Sequence, residues 1–283
     1  MTPRPPARRG GTGRGPDPRR STRPSSPPRR SSLPRDREGL GGEQVEGRRA
    51  VYELLKARRR HVERVLVADA QDPSDLLDAI EREARSQRVA VQIISMARLD
   101  REARTEGHQG VLAHAARLPT VDLAKILETS HPFLLVCDGV TDPRNLGAML
   151  RSADGAGVTG VVLPRHRSAR VTPTVTKTAA GAIEYLTFCD VGGVPAALER
   201  LNRAGVLTVG LAGEVTDSLY DVDLASTPVA LVVGGEEKGM AALTRKRCAK
   251  VVAIPQLGRI DSLNAGVAVS VAAFEVARQR ALR

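Results

Sequence analysis

Aromatic residues are scarce in this chain of 283 residues, which contains no Trp, three Tyr and three Phe. Domains that bind single-stranded nucleic acid by stacking need a platform of aromatic side chains. So few aromatic residues argue against such a platform. Any contact with nucleic acid is therefore expected to be mainly electrostatic.

Cysteine and long apolar segments are also in short supply. Cys137, Cys189 and Cys248 are odd in number, lie far apart and form no Cys-x-x-Cys pair. They predict neither a disulfide framework nor a metal site, and a reducing cytoplasmic compartment suits them best as small core residues. The chain has no apolar h-region for secretion and no apolar run of about 18 residues, so we expect no membrane partner.

Positive charge is concentrated at the beginning of the chain. Residues 1–40 hold eleven Arg against three acidic residues, a net charge of +8 out of +11 for the whole chain. Arg, Pro, Gly and Ser dominate this stretch, which predicts a disordered arm over 1–43. Such an arm favours RNA as a polyanionic partner, while a solubilising or targeting tail is the alternative.

The remainder of the sequence predicts two α/β units. The first spans 44–116, and the stretch over 43–60 at its beginning has the apolar spacing of an amphipathic helix. A linker with a helical turn is predicted over 117–131. The second unit, over 132–283, alternates apolar strands with helices, which predicts a mostly parallel doubly wound sheet.

Three segments of the second unit follow the carboxyl ends of predicted strands, where such sheets bind ligands. The first contains Asn145 and Arg151, the second Glu236, and the third Ser262 and Asn264. Each segment alone also fits a structural interpretation: a capped helix with a solvated Arg, a tight turn with exposed acids, and Ser262 as a helix N-cap. The second, "LVVGGEEKGM", is neither a Walker loop nor a dinucleotide fingerprint, since adjacent carboxylates would repel phosphate.

Together the three segments resemble the three ordered motifs of the SpoU (TrmH) family of 2′-O-ribose RNA methyltransferases. The matching stretches are "DPRNLGAMLRSADGAGVTGVVLP", "LVVGGEEKGM" and "IPQLGRIDSLNAGVAVSVAAFE". The first unit, with "GRRAVYELL" and "HQGVLA" at its two ends, is similar to the L30e-like substrate-binding domain of one branch of the family. Members of that branch methylate a guanosine ribose in 23S rRNA.

The resemblance implies a catalytic domain with a deep trefoil knot, a homodimer, S-adenosylmethionine as cofactor and no metal. The family's cofactor contacts correspond here to Gly234, Ile254 and Leu263. Its catalytic residues correspond to Asn145, Arg151, Glu236, Ser262 and Asn264. In the family pattern a glycine is usual where this chain has Glu237, and a positive φ there would cost about 1 kcal/mol and alter cofactor binding.

The chemistry of methyl transfer agrees with this set of residues. A ribose hydroxyl is a poor nucleophile until its proton starts to leave, so a base or a charge-stabilising group is required. A guanidinium with a pKa above roughly 12 is an awkward base. We therefore expect Arg151 to grip the target phosphate or lower the pKa of the hydroxyl, while the other polar residues hold Arg151 and the ribose.

Other interpretations stay open at this point. The target is either 23S rRNA, a tRNA, or an rRNA site that confers antibiotic resistance. A catalytically silent RNA-binding or ribosome-assembly protein would be free to lose Arg151 and Glu236, which are intact. The missing glycine fingerprint disfavours a dinucleotide-dependent oxidoreductase. Arginines at 48–49 and 58–60 are candidates for RNA contact or for a solvated helix end, and His108 is expected to be structural.

Overall fold

The computed structural model describes residues 39–69, 71–260 and 262–282. Two sheets organise this part of the chain, and helices cover them. Residues 1–38, which make up most of the predicted arm, lie outside the described residues, as do residues 70, 261 and 283. No described helix is long and apolar enough to cross a membrane.

The first unit is a four-stranded sheet with helices packed against it. The strand order is β1-β4-β2-β3, in which β2 and β3 are parallel and the other pairs are antiparallel. The predicted helix over 43–60 is wrong at its beginning, because Gln44–Glu46 is a strand and the helix begins at Arg48. The elements are β1 (Gln44–Glu46), α1 (Arg48–Ala57), β2 (Val62–Ala68), α2 (Asp75–Ser86), β3 (Ala90–Ile94), α3 (Met96–Glu102) and β4 (Val111–Ala115).

The second unit is a six-stranded sheet in which every pair of neighbours is parallel, so the predicted mostly parallel sheet is confirmed. The strand order is β10-β8-β9-β5-β6-β7. Every residue of β9 is buried, as expected for a strand covered on both faces. The elements are β5 (Phe133–Asp138), α5 (Pro143–Gly155), β6 (Gly160–Pro164), α6 (Pro173–Thr178), β7 (Phe188–Val191), α7 (Val194–Arg203), β8 (Leu207–Leu211), β9 (Val229–Gly234), α8 (Ala242–Arg247), β10 (Lys250–Val252) and α9 (Ala265–Ala281).

The segments that flank the first unit are packed onto the second. Leu40 is fully buried in the core of the second unit, and the amide of Gly42 donates to the carbonyl oxygen of Val171 at 2.8 Å. Residues 39–43 therefore do not belong to a disordered arm as predicted. In the linker, the expected helical turn is confirmed as α4 (Leu123–Leu127), which buries Leu123 and Ile126.

A buried ion pair joins the two units. The guanidinium of Arg60 binds the carboxylate of Glu184 through two contacts of 2.9 and 2.5 Å, and both side chains are 1% exposed. Arg59 donates to the carbonyl oxygens of Glu184 and Leu186. Arg60 is thus neither an RNA contact nor a solvated helix end, whereas Arg58 and Arg59 are exposed, with Arg58 beside Glu83.

The remaining predictions about structural residues are mostly confirmed. His108 is buried, accepts from the amide of Gly110 at Nδ1 and contacts Asp100 at 2.8 Å through Nε2. Cys137 and Cys189 are buried, and burial raises the pKa of these thiols to about 12 and about 11. These residues therefore have structural roles.

Candidate active site

The three polar segments meet at the carboxyl edge of the parallel sheet. The end of β5 organises this meeting, because the carbonyl oxygen of Asp138 accepts from the amide of Gly235 at 3.1 Å and its carboxylate accepts from the amide of Ala241 at 2.8 Å. Asp138 thus holds both ends of the loop over 235–241. Sequence reasoning missed Asp138, although an acidic residue at the end of a buried apolar strand was the available signal.

The first segment begins a helix beside this loop. Asp142 is the N-cap of α5, since its carboxylate accepts from the amide of Arg144 at 3.0 Å, and Pro143 occupies the first helical position. Asn145 follows in the first turn. The helix start therefore presents the amide of Asn145 to the other two segments.

A chain of hydrogen bonds connects one residue from each segment. The side-chain amide of Asn145 donates to the carboxylate of Glu236, and Asn264 donates to the Asn145 oxygen at 3.1 Å. Asn264 also caps α9, because its oxygen accepts from the amides of Gly266 and Val267. The N-cap of α9 is thus Asn264, and the structural interpretation of Ser262 as an N-cap is wrong.

The loop after β9 turns sharply back on its own strand. A side chain at Gly234 would place its Cβ 2.0 Å from the backbone of Gly239, so only glycine fits. Gly239 has φ of 61° and donates its amide to the carbonyl oxygen of Gly235 at 2.8 Å. Glu237 does not have a positive φ, so the expectation of strain at Glu237 is wrong: the left-handed residue of this loop is Gly239.

A cavity of about 620 Å³ lies between this loop and the start of α9. That volume is typical of a small-molecule site, for which the usual range is roughly 300–1,000 Å³. Gly234, Ile254 and Leu263 all line it, as do Glu236, Ser262 and Asn264. Asn145 is connected to the cavity through its hydrogen bonds to Glu236 and Asn264, which line it.

The charges around the cavity suit a ligand that carries both signs of charge. Glu214, Glu236 and Glu237 contribute carboxylates, while Lys238 and Arg245 contribute cations. S-adenosylmethionine has a sulfonium cation, an ammonium and a carboxylate, together with an apolar purine, so these residues fit it. Sequence reasoning missed Glu214 and Arg245, which form an ion pair at the cavity although they lie 31 residues apart.

Arg151 is the one predicted catalytic residue that stands apart from this arrangement. It is exposed on α5, and among the described residues its side chain makes no hydrogen bond or ion pair. Six residues separate it from Asn145, which places the two side chains on different sides of the helix at about 100° per residue. The expected hydrogen bonds from the other site residues to Arg151 are absent within the described part of one chain.

Known families match both units of the chain. Residues 132–274 match the SpoU rRNA Methylase family, and residues 44–121 match a domain described as RNA 2′-O ribose methyltransferase substrate binding. The chain belongs to the SpoU rRNA methylase family.

Individual relatives and solved structures agree with this assignment. The 23S rRNA (guanosine-2′-O-)-methyltransferase RlmB of Pectobacterium atrosepticum is 39% identical over 240 residues, covering 83% of this chain and 98% of that protein. The RlmB protein of Xylella fastidiosa is 42% identical over 243 residues, covering 84% and 97%. A crystal structure of an RNA 2′-O ribose methyltransferase is 27% identical, with a TM-score of 0.70, and covers 84% of this chain and 88% of that one. The SpoU methyltransferase AviRb from Streptomyces viridochromogenes, solved with AdoMet, shares the fold at 24% identity, with a TM-score of 0.70 over 85% of this chain and 91% of that one.

Proposed function

We propose that this protein methylates the 2′-hydroxyl of a guanosine in 23S rRNA and uses S-adenosylmethionine as the methyl donor. The observation that carries the proposal is the hydrogen-bonded chain Glu236–Asn145–Asn264 on the rim of the cavity. It joins one polar residue from each of the three family motifs. The proteins named RlmB, which align over most of this chain, carry the same activity in their names.

The cavity is the proposed cofactor site, with Gly234, Ile254 and Leu263 as its cofactor-binding residues. When bound, S-adenosylmethionine supplies an electrophilic methyl group on a sulfonium sulfur. The backbone at Gly234 approaches Gly239 closely, and both glycines line the cavity, so backbone groups form part of its wall. Carboxylates at Glu236 and Glu237 favour a cationic ligand at this wall.

The polar residues are assigned to positioning and charge stabilisation. Asn145 fixes the orientation of the Glu236 carboxylate, and Asn264 fixes Asn145 in turn, so the rim is preorganised before RNA binds. Exposed Ser262 on the same rim is available to the ribose. Arg151, whose guanidinium is an awkward base, is assigned to the target phosphate or to lowering the pKa of the hydroxyl.

A homodimer would explain both the isolation of Arg151 and the surface of α9. One face of α9 is buried through Val269 and Val276, yet Val267 and Phe274 on another face are 48% and 52% exposed. A helix that is apolar on both faces is normally covered on both. Because α5 packs beside α9, a second copy on this surface would also reach Arg151.

The remaining features of the family are proposed for this chain on the same basis. The first unit, proposed to span 44–116, would be an L30e-like domain that binds the RNA substrate, and the second, over 132–283, the catalytic domain with a trefoil knot. The non-sequential strand order and the return of α9 onto α5 and β9 support such a path. The basic arm is proposed to contact RNA in the cytoplasm.

Methylation of RNA by the purified protein tests the function. We expect transfer from radiolabelled S-adenosylmethionine to 23S rRNA, and digestion of the product should release 2′-O-methylguanosine as the labelled nucleoside. A tRNA pool and an RNA-free reaction serve as controls. Labelled base-methylated nucleosides, or label in tRNA alone, would contradict the proposal.

A further inference from the structure

The loop that follows β6, over 165–171, is strongly basic and has no role in the site as described so far. It contains Arg165, His166, Arg167 and Arg170. Because β6 is parallel to β5, the loop emerges at the same edge of the sheet as Asn145 and Glu236. It is therefore placed to contact a substrate that approaches this edge.

Internal ion pairs account for two of the three arginines. Arg165 and Arg170 both lie 3.5 Å from the carboxylate of Asp190, one on each oxygen. Arg167 is exposed and makes no hydrogen bond or ion pair within the part of the chain that the structure describes. Because Asp190 is already paired with Arg165 and Arg170, the positive charge of Arg167 is not compensated by an acidic residue among the described residues around the loop.

The backbone of the loop is fixed against the turn that supports the candidate site. The hydroxyl of Ser168 and the amide of Ala169 both donate to the carbonyl oxygen of Val140, at 3.2 and 2.8 Å. The preceding residue, Gly139, lies close to Gly235: a Cβ added to Gly235 would be 2.5 Å from the carbonyl oxygen of Gly139. The basic loop and the Glu236 loop thus sit on two sides of one turn.

The conformation of Arg167 also sets it apart. Its φ of 59° lies in the left-handed region, which favours glycine. Arg58 and Arg88 share this conformation, but they follow the ends of α1 and α2, where left-handed residues are common. Arg167 follows a strand, and a non-glycine residue held in this region beside a site points to a function for its side chain.

We propose that Arg167 is a positioning residue that binds a backbone phosphate of the RNA next to the target nucleotide. This inference rests on the proposed function. A guanidinium pairs with phosphate through two parallel hydrogen bonds, which supplies orientation as well as attraction. A phosphate held on this side of the turn would fix the ribose against the Glu236–Asn145–Asn264 rim.

The test compares the RNA affinity of Arg167→Ala and wild-type protein across a series of salt concentrations. We expect Arg167→Ala to bind a 23S rRNA fragment about tenfold more weakly at low salt. The slope of log affinity against log salt should fall by about 0.7 to 0.9, the value for one lost phosphate contact. Calorimetry should show unchanged affinity for S-adenosylmethionine. Arg167→Lys should restore the salt slope but only part of the RNA affinity, because lysine supplies the charge without the two parallel hydrogen bonds.

Arg203→Ala is the matched control, because Arg203 is also exposed but lies at the end of α7, just before β8 begins and therefore at the opposite edge of the parallel sheet. Its RNA affinity and salt slope should stay within twofold of wild type. Wild-type affinity and slope in Arg167→Ala, or an equal loss in Arg203→Ala, would overturn the inference even if the protein methylates RNA. A wild-type protein that binds the fragment but yields no 2′-O-methylguanosine would instead overturn the proposed function.

Discussion

Removing one partner of the Arg60–Glu184 pair should destabilise the protein strongly. Glu184→Gln keeps the shape of the side chain but leaves the guanidinium of Arg60 buried, at 1% exposure, with no opposite charge. Breaking a buried pair in this way typically costs about 3–5 kcal/mol. With a urea m value of about 3 kcal/mol/M for a large domain, the unfolding midpoint should fall by on the order of 1–2 M.

A double variant separates the ion pair from the rest of the contacts. Burial raises the pKa of Glu184 although Arg60 acts in the opposite sense, so desolvation of the pair is a substantial cost. Arg60→Met with Glu184→Met removes both charges but also deprives the carbonyl oxygens of Gly42 and Ala116 of their donor, at a cost of about 1–3 kcal/mol each. The double variant should therefore lose clearly less stability than the sum of the losses in Arg60→Met and Glu184→Met, because Glu184→Met alone leaves a buried charge without its partner. Additive losses in Arg60→Met and Glu184→Met, or a loss below about 1 kcal/mol for Glu184→Gln, would refute this reasoning.

Three further predictions follow from the cofactor loop, the α9 surface and the arm. Glu237→Gly should leave the affinity for S-adenosylmethionine within twofold of wild type. Gly239→Ala should lower that affinity about fivefold, because the left-handed φ costs an alanine about 1 kcal/mol, although its methyl group meets no neighbour. Calorimetry that ranks the two variants in the opposite order would contradict this prediction. Phe274→Asp should convert the dimer to a monomer in a sedimentation experiment. Tyr220→Asp is the control and should remain a dimer, because Tyr220 is equally exposed but does not lie on α9. A wild-type protein that sediments as a monomer would exclude the dimer. Deleting residues 1–38 should weaken RNA binding and flatten its salt dependence, because this segment carries a net charge of +8; unchanged affinity at low salt would count against the arm.

The strands of the second unit could be predicted because a strand that is buried on both faces consists of a nearly continuous run of apolar residues. The apolar runs at 133–140 and 228–235 correspond to β5 and β9, and their carboxyl ends correctly located the polar rim. The cavity itself could be anticipated only through the resemblance, since residues as distant as Glu214 and Arg245 line it together.

The features that escaped prediction depend on partners far away in sequence. Gln44 and Glu46 look like part of a helix start, but Glu46 is buried and accepts from the amides of Arg104 and Thr105. Its segment pairs with β4 through the backbone, so these polar residues form a strand. Arg60 likewise looks solvated in an arginine run until Glu184, 124 residues later, is placed beside it. Local pattern carries no information about either pairing.

The isolation of Arg151 has a similar origin. The motif match groups Arg151 with Asn145 and Glu236, while the geometry of α5 places it on another side of the helix. A single sequence does not reveal which surface of α5 a second copy covers. The proposed dimer is what would bring Arg151 into a complete site.

Mapping ribose methylation in cells tests the central claim most directly. The comparison needs cells with the gene, cells without it, and cells without it that express Arg151→Ala or the wild-type protein. We predict that one guanosine of 23S rRNA loses its 2′-O-methyl group when the gene is absent, and that the wild type restores it while Arg151→Ala does not. Unchanged methylation of 23S rRNA in cells without the gene, or loss confined to tRNA, would contradict the account.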